Sequence, residues 1–95
     1  PFLPGVRALA EIGLLPEGMY RNRHFAESST RVEGEVPLAI QDLLYDPQTS
    51  GGLLIAAAER DAQALLSALR DRIPCAAQVG YVEAKREDCS IVVKP

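Results

Sequence analysis

The sequence predicts an α/β domain of the α+β kind, in which helices lie on one side of a mixed, mostly antiparallel sheet. The first reason is the second half of the chain, where a short apolar run, an amphipathic helix and two further β-rich segments follow one another. The second is the composition, which is 47% hydrophobic and 24% charged but only 5% aromatic. Such a composition is typical of a folded domain with an aliphatic core. We expect one domain covering residues 1–95, since this length suits a single small domain.

The first half of the chain is predicted to hold two helices separated by a long surface loop. A helix is expected over 3–13, where Gly13 provides a stop. Three of its apolar residues recur at helical spacing: Val6, Leu9 and Ala10. Residues 16–35 lack clear periodicity and predict a loop with one short strand. A second helix is expected to begin near Pro37, with a four-residue inward stripe made of Val36, Ile40, Leu43 and Leu44.

The second half of the chain predicts a strand, a helix and two more strands. Residues 53–58 are a short continuous apolar run, which favours a strand buried on both faces. Residues 59–72 predict a helix with acidic residues in its first turn and basic residues in its last, as the helix dipole favours. Residues 75–84 and 91–93 predict the remaining strands. Leu66 lies in the middle of the apolar stripe of this helix, so Leu66→Ala is expected to cost about 2–5 kcal/mol.

A polar heptapeptide separates the second predicted helix from the apolar run. This segment, residues 46–52, reads Asp-Pro-Gln-Thr-Ser-Gly-Gly and is called the signature loop below. Pro47 fixes one φ angle, and the glycines accept conformations that other residues avoid. Such a loop can hold backbone N–H groups in a concave array that binds an oxyanion. The candidate anion-binding residues are Thr49, Ser50, Gly51 and Gly52. The alternative is a turn whose polar side chains satisfy its own backbone.

A basic cluster over residues 21–24 is the second candidate for chemistry. Arg21 can bind a phosphate group through two hydrogen bonds, and Asn22 lies beside it. The alternative is a solvated loop or a surface that packs against another part of the protein. His24 has no partner in the sequence and is expected at the surface.

No metal site and no catalytic residue is predicted in this chain. Asp42 and Asp46 are four residues apart, and an exposed Asp42 with a capping Asp46 is favoured over a metal pair. Cys75 and Cys89 do not have the spacing of a zinc site. We expect two free thiols, of which at least one is buried, with a disulfide as the alternative.

Charge and hydropathy exclude two classes of partner. The net charge of −3 and the pI of about 5.0 argue against a nucleic-acid surface. No apolar run approaches the roughly 20 residues of a membrane span, and no signal peptide is evident.

Three stretches of this chain resemble selenophosphate synthetase, also called selenide, water dikinase. The longest is 43–56, which contains the signature loop. The second is 18–22, which reads Gly-Met-Tyr-Arg-Asn and resembles the Arg-Asn element of the family. The segment 3–6, followed by Gly13, resembles the stretch that precedes this element. The resemblance implies the fold of the C-terminal domain of aminoimidazole ribonucleotide synthetase, truncated at its N-terminal end.

The resemblance also implies an activity for a longer protein. The family makes selenophosphate for selenocysteine biosynthesis from ATP, selenide and water, releases AMP and orthophosphate, and uses magnesium. Its reactive Cys or selenocysteine, its essential Lys and its metal-binding Asp residues belong to elements that this chain lacks. We therefore expect a C-terminal fragment that is inactive alone, holds neither ATP nor magnesium, and packs against its own N-terminal domain in a cytoplasmic homodimer. Arg21 and Asn22 would face that interface or the active site.

Two alternatives stay open on the sequence. One is a sister enzyme of the same superfamily, acting in purine biosynthesis or hydrogenase maturation. The other is a non-enzymatic module that binds a small molecule. The sequence Gln-Thr-Ser at residues 48–50 favours selenophosphate synthetase, the selenium branch of the superfamily, over the sister enzymes.

Overall fold

The computed structural model describes residues 2–48 and 50–95, which divide into two compact units. The first unit contains the described residues of 2–50 together with 85–95, and the second contains 51–84. Each unit is described by itself below. The prediction of a single domain stays a prediction.

The first unit is a small mixed helix and strand assembly. Its elements, in chain order, are helix α1 (Val6–Glu11), helix α2 (Glu17–Ala26), a 3₁₀ turn (Glu27–Ser29), strand β1 (Thr30–Val32), helix α3 (Leu38–Leu43) and strand β2 (Ile91–Val93). Helix α1 is preceded by Gly5 at φ 84° and followed by Gly13 at φ 77°. Both angles lie in the left-handed region that glycine adopts at little steric cost. The predicted first helix is therefore confirmed, with Gly13 just past its end.

Helix α2 covers half of the long loop predicted over residues 16–35. Pro16 has the extended backbone of an N-cap residue, and Glu17 places an acidic group in the first turn. Arg23 and His24 place basic groups in the last turn, which also suits the helix dipole. Only one residue of the helix, Met19, is buried. The loop prediction was wrong because so narrow an apolar face leaves almost no 3.6-residue periodicity in the sequence.

Strands β1 and β2 form a parallel pair with Thr30 opposite Ile91 and Val32 opposite Val93. The Glu33 N–H donates to the Val93 carbonyl at 2.9 Å, which continues the ladder past β1. Among the described residues this two-stranded sheet is parallel, so the predicted mostly antiparallel sheet is not what they form. The physical reason is the connection. Antiparallel neighbours are commonly joined by a short hairpin, whereas these two strands are far apart in sequence and need a crossover.

Ion pairs hold the C-terminal segment to the residues around β1. Arg86 lies 2.8 Å from Glu33, and Lys94 lies 3.9 Å from the other Glu33 oxygen. Arg31 pairs with Asp88 at 2.5 Å. The hydrogen bond from Arg86 holds the pKa of the Glu33 carboxyl below its ordinary value, and the charges of Lys94 and Arg31 act in the same direction. These contacts add electrostatic support to a strand pair of three residues each.

The second unit contains helix α4 (Glu59–Arg70), which confirms the helix predicted over 59–72. The segments 53–58 and 75–84, predicted as strands, are not strands in the structure. A strand forms only where a neighbouring strand satisfies its N–H and C=O groups, and no described residue pairs with these segments. Every described residue of 51–84 is exposed or half-buried, and Leu53 is 91% exposed. The prediction that 53–58 is buried on both faces is therefore wrong for this chain.

None of the described helices is both long enough and apolar enough to cross a bilayer.

Candidate functional site

The candidate site lies where helix α2 meets the beginning of the signature loop. A Cβ atom placed on Gly18 would lie 2.9 Å from Pro47 Cγ and 3.2 Å from Pro47 Cβ. Real Cβ atoms almost never approach another heavy atom so closely, so the helix backbone can reach the proline ring only because residue 18 has no side chain. Two of the stretches that carry the family resemblance, 18–22 and 43–56, are therefore in contact at Gly18 and Pro47.

Asn22 makes the second contact between these stretches. Its Nδ2 donates a hydrogen bond to the backbone carbonyl of Tyr45 at 2.9 Å. Tyr45 immediately precedes the signature loop and lies just beyond the end of α3, where backbone carbonyls have no partner within the helix. The Asn22 side chain thus satisfies a carbonyl that the helix leaves open. That Asn22 faces another domain or an active site stays a prediction.

Arg21 extends into solvent beside the same contact. The point that a Cβ on Gly18 would occupy is 3.9 Å from Arg21 Nη2, so the guanidinium and Pro47 flank that glycine. The Arg21 side chain is 71% exposed and forms an ion pair with Glu17 at 2.8 Å. An exposed pair of this kind contributes little to stability, so its guanidinium can exchange Glu17 for another anion at small cost. A guanidinium binds phosphate oxygens through paired hydrogen bonds.

Arg23 and Asp42 form an ion pair that joins α2 to α3. Asp42 is 8% exposed, which corrects the prediction of an exposed aspartate. Burial of a carboxylate is costly unless a cation compensates it, and Arg23 supplies that cation. No local pattern in the sequence indicates this pair, because the partners are 19 positions apart on separate helices.

The remaining loop residues are described only in part. Thr49 lies outside the described residues, Ser50 is exposed, and Gly51 and Gly52 begin the second unit. Gly52 does not have a left-handed φ, and a Cβ placed there meets nothing within 4 Å. The strain that a positive φ at Gly52 would impose on an alanine is therefore absent. Whether residues 49–52 bind an anion stays a prediction.

Magnesium does not fit the part of the chain that the structure describes. These residues contain no group of three or more His, Cys, Asp or Glu side chains that could hold a metal ion. The carboxylate of Asp42, one of the two aspartates considered above, is bound by Arg23.

The cysteines are both free, as predicted. Cys75 is exposed and Cys89 is buried. His24 is exposed as well, with its Nδ1 3.5 Å from a carboxylate oxygen of Glu27. These side chains add no group to the contact between α2 and the signature loop.

Comparison with known proteins gives a consistent set of relatives. The chain is 43% identical over 94 residues to selenide, water dikinase 2 of Peptoclostridium acidaminophilum, which covers 98% of this chain and 27% of that protein. It is 45% identical over 92 residues to the selenide, water dikinase of Treponema denticola, covering 92% of this chain and 26% of the relative. It is 39% identical over 94 residues to the selenide, water dikinase of a Clostridium botulinum strain, covering 99% and 27%. No family model and no solved structure matches the chain.

The chain is therefore related by descent to a class of enzymes named as dikinases. In particular, it is homologous to the selenide, water dikinases over nearly its whole length. It spans about a quarter of the length of the curated relatives that it matches.

Proposed function

We propose that this chain is the C-terminal segment of a selenide, water dikinase, an enzyme that makes selenophosphate from ATP, selenide and water with release of AMP and phosphate. The observation that carries the proposal is the homology, at about 40% identity over nearly the whole chain. The contact between residues 18–22 and the signature loop supports it, since those are the stretches that resemble the family. In the whole enzyme, magnesium and the reactive residue are supplied by other parts of the protein.

The contribution of Arg21 is to bind an anion in the whole enzyme, and residues 49–52 are the further anion-binding residues expected from the sequence. The exposed guanidinium of Arg21 gives positive potential without a metal ion, which suits the phosphates of ATP or of the product. Asn22 belongs to the support of this site, because its amide nitrogen is bound to Tyr45. The chain acts by positioning donors where charge accumulates during phosphoryl transfer.

In the whole enzyme, the second unit completes a mostly antiparallel sheet like that of the C-terminal domain of aminoimidazole ribonucleotide synthetase, with helices on one side. Support comes from the exposed apolar residues of 53–58 and 75–84, whose backbone groups lack strand partners among the described residues. Apolar side chains so exposed favour coverage by other protein. We propose that the enzyme's own N-terminal domain and the rest of its sheet cover them, in a cytoplasmic homodimer.

The test compares two arginines in a full-length relative that carries this segment in place of its own. Arg21→Met removes the proposed anion ligand, and Arg7→Met is the matched control, because Arg7 also forms an exposed pair with a glutamate four residues away. We expect Arg21→Met to lower kcat/KM for ATP by about tenfold or more, the loss expected for one charged hydrogen bond. Arg7→Met should retain the parent value. Equal kcat/KM for both variants and the parent would overturn the role of Arg21.

A further inference from the structure

The Arg23–Asp42 ion pair has no role in the proposed anion site, since neither residue is among the proposed anion-binding residues. Asp42 is the one buried charged residue among those that the structure describes. Removing a carboxylate from water costs several kcal/mol, and replacing such a pair with apolar residues is often neutral or stabilising. Stability alone is therefore a weak reason to place a charged pair at this point of the fold. A requirement for defined geometry is a better one.

The position of the pair indicates what its geometry controls. Arg23 follows Asn22 on α2, and Asp42 lies three residues before Tyr45 at the end of α3. The Tyr45 N–H donates to the Asp42 carbonyl at 3.0 Å, and the Tyr45 carbonyl accepts from Asn22 at 2.9 Å. Asp42 thus holds Tyr45 through its backbone and α2 through its carboxylate. A shift of Asp42 must move the residue from which the signature loop begins.

Two further features of helix α2 restrict how it can move against α3 and the beginning of the signature loop. Met19, one turn before Asn22 and Arg23, is fully buried, and Gly18 touches Pro47 inside the loop. A single hydrogen bond between a helix and a loop would allow the helix to pivot about it. An ion pair, a hydrogen bond and a close backbone contact along one helix fix both its distance and its rotation.

We propose that Arg23 and Asp42 are positioning residues, which set the rotation of α2 against α3 so that Asn22 reaches Tyr45 and the beginning of the signature loop, residues 46–48, keeps one geometry. The mechanism follows from the contacts within the first unit. Its purpose, to hold Arg21 and the loop ready for an anion of the phosphate class, rests on the proposed function. Neither residue touches the anion in this scheme.

The test uses amide hydrogen exchange of the 95-residue chain, followed by NMR. Asp42→Asn removes the charge at nearly constant volume, Asp42→Glu keeps the charge, and Glu11→Gln is the matched control in an exposed pair. The reporting amides are those of Leu44 and Tyr45, which donate at 3.2 and 3.0 Å. The reference amides are those of Glu33 and Ser90, which lie at the strand pair.

We expect Asp42→Asn to raise exchange at Leu44 and Tyr45 by at least about tenfold, as loss of a hydrogen bond to a charged group predicts. The Asn22 side-chain amide resonances should shift, while exchange at Glu33 and Ser90 stays within about twofold. Asp42→Glu should restore most of the protection, and Glu11→Gln should change nothing. Unchanged exchange at Tyr45 in a folded Asp42→Asn chain would overturn the proposal. Equal loss at all four amides, unrescued by Asp42→Glu, would also overturn it, because the pair would then serve stability only.

A titration with inorganic pyrophosphate distinguishes the positioning role of Arg23 and Asp42 from the anion-binding role in the proposed function. Binding by the parent chain that weakens about tenfold in Asp42→Asn, but not in Glu11→Gln, supports both. If the parent chain does not bind pyrophosphate, the anion-binding role of this segment fails. The positioning role is still decided by the exchange rates, which need no ligand.

Discussion

At Gly18 the backbone of helix α2 passes so close to Pro47 that a methyl group has no room. A glycine inside a helix costs about 0.5–1 kcal/mol relative to alanine, so its presence needs a reason. The reason here is a close approach, since residue 18 itself does not have a left-handed φ. A single missing side chain therefore determines how near the helix comes to the signature loop.

The first prediction compares alanine at two glycines. Gly18→Ala gains about 0.5–1 kcal/mol of helix propensity but forces the Pro47 ring to move, which overpacking measurements put at about 1–3 kcal/mol. We expect a net loss of about 1 kcal/mol and shifted resonances at Pro47 and Gln48. Gly52→Ala is the control, because a Cβ there meets nothing within 4 Å. Its urea midpoint should match the parent. A Gly18→Ala chain more stable than the parent, with unshifted loop resonances, would contradict the close contact.

The second prediction concerns acid stability at Glu33. Its pKa is lowered in the folded chain by the hydrogen bond from Arg86, so the carboxylate form favours folding. This contribution to the free energy of unfolding is fully present above the pKa of a glutamate in the unfolded chain, about 4.3. It is lost as the pH falls through the lower pKa that Glu33 has in the folded chain. Glu33→Gln should therefore lower the urea midpoint at about pH 7 and change it little well below about pH 4. Equal midpoints for parent and Glu33→Gln at neutral pH would contradict it.

The third prediction concerns the thiols. Cys75 is exposed and Cys89 is buried, so a thiol reagent such as DTNB should label Cys75 rapidly in the native chain. Cys89 should react only at the rate of unfolding, and both should react in strong denaturant. Mass spectrometry of the labelled peptides would assign the sites. Rapid labelling of Cys89 in the native chain would contradict the prediction, because it would show that the reagent reaches this thiol without unfolding.

At the scale of elements, α2 and α4 show that an apolar stripe in the sequence of a helix does not by itself mean that the helix has a buried face. Helix α4 has the clearest stripe in the sequence, yet none of its residues is buried. Helix α2 has a weak pattern but contains Met19, the one residue described as fully buried. An apolar stripe indicates which face a helix can bury. Whether that face is buried depends on whether another part of the protein packs against it.

The fourth prediction follows from that difference. Met19→Ala should cost about 2–5 kcal/mol, the usual range for a buried methionine. Leu66 is half-buried, so Leu66→Ala should cost less in this chain, about 1 kcal/mol, in place of the larger cost expected from the sequence. Urea unfolding of both variants under the same conditions would measure the difference. A Leu66→Ala loss equal to that of Met19→Ala would show that α4 has a covered face.

At the scale of the whole molecule, the chain spans about a quarter of its relatives. Its described residues contain no group of three or more His, Cys, Asp or Glu side chains that could hold a metal ion. The second unit exposes apolar side chains such as those of Leu53 and Leu54. The proposed function gives the chain a supporting role within a larger enzyme.

The fifth prediction tests that role directly. The purified 95-residue chain, supplied with ATP, selenide and magnesium, should produce no AMP above a protein-free control. A full-length selenide, water dikinase assayed in parallel would show that the conditions are adequate. Selenide-dependent AMP formation by the chain, retained after repurification, would refute the proposal that it is a supporting segment.

Local spacing in the sequence was enough to predict α1, α3 and α4. Turn residues and short-range periodicity specify these elements, and neither depends on distant parts of the chain. The signature loop and the Arg-Asn element could also be identified from residue types and resemblance. Their contact could not, because it depends on Gly18 and Pro47, which are far apart in sequence.

The sequence by itself thus determined the relationship to selenide, water dikinases and the candidate residues Arg21, Asn22 and 49–52. Only the tertiary structure decided that Asn22 supports Tyr45, that Asp42 is buried, and that β1 and β2 pair in parallel. The physical reason is that side-chain pairing and strand partnership depend on which surfaces meet after the chain has folded. Predicted strands 53–58 and 75–84 show the same rule, because an apolar segment becomes a strand only where a second strand satisfies its backbone.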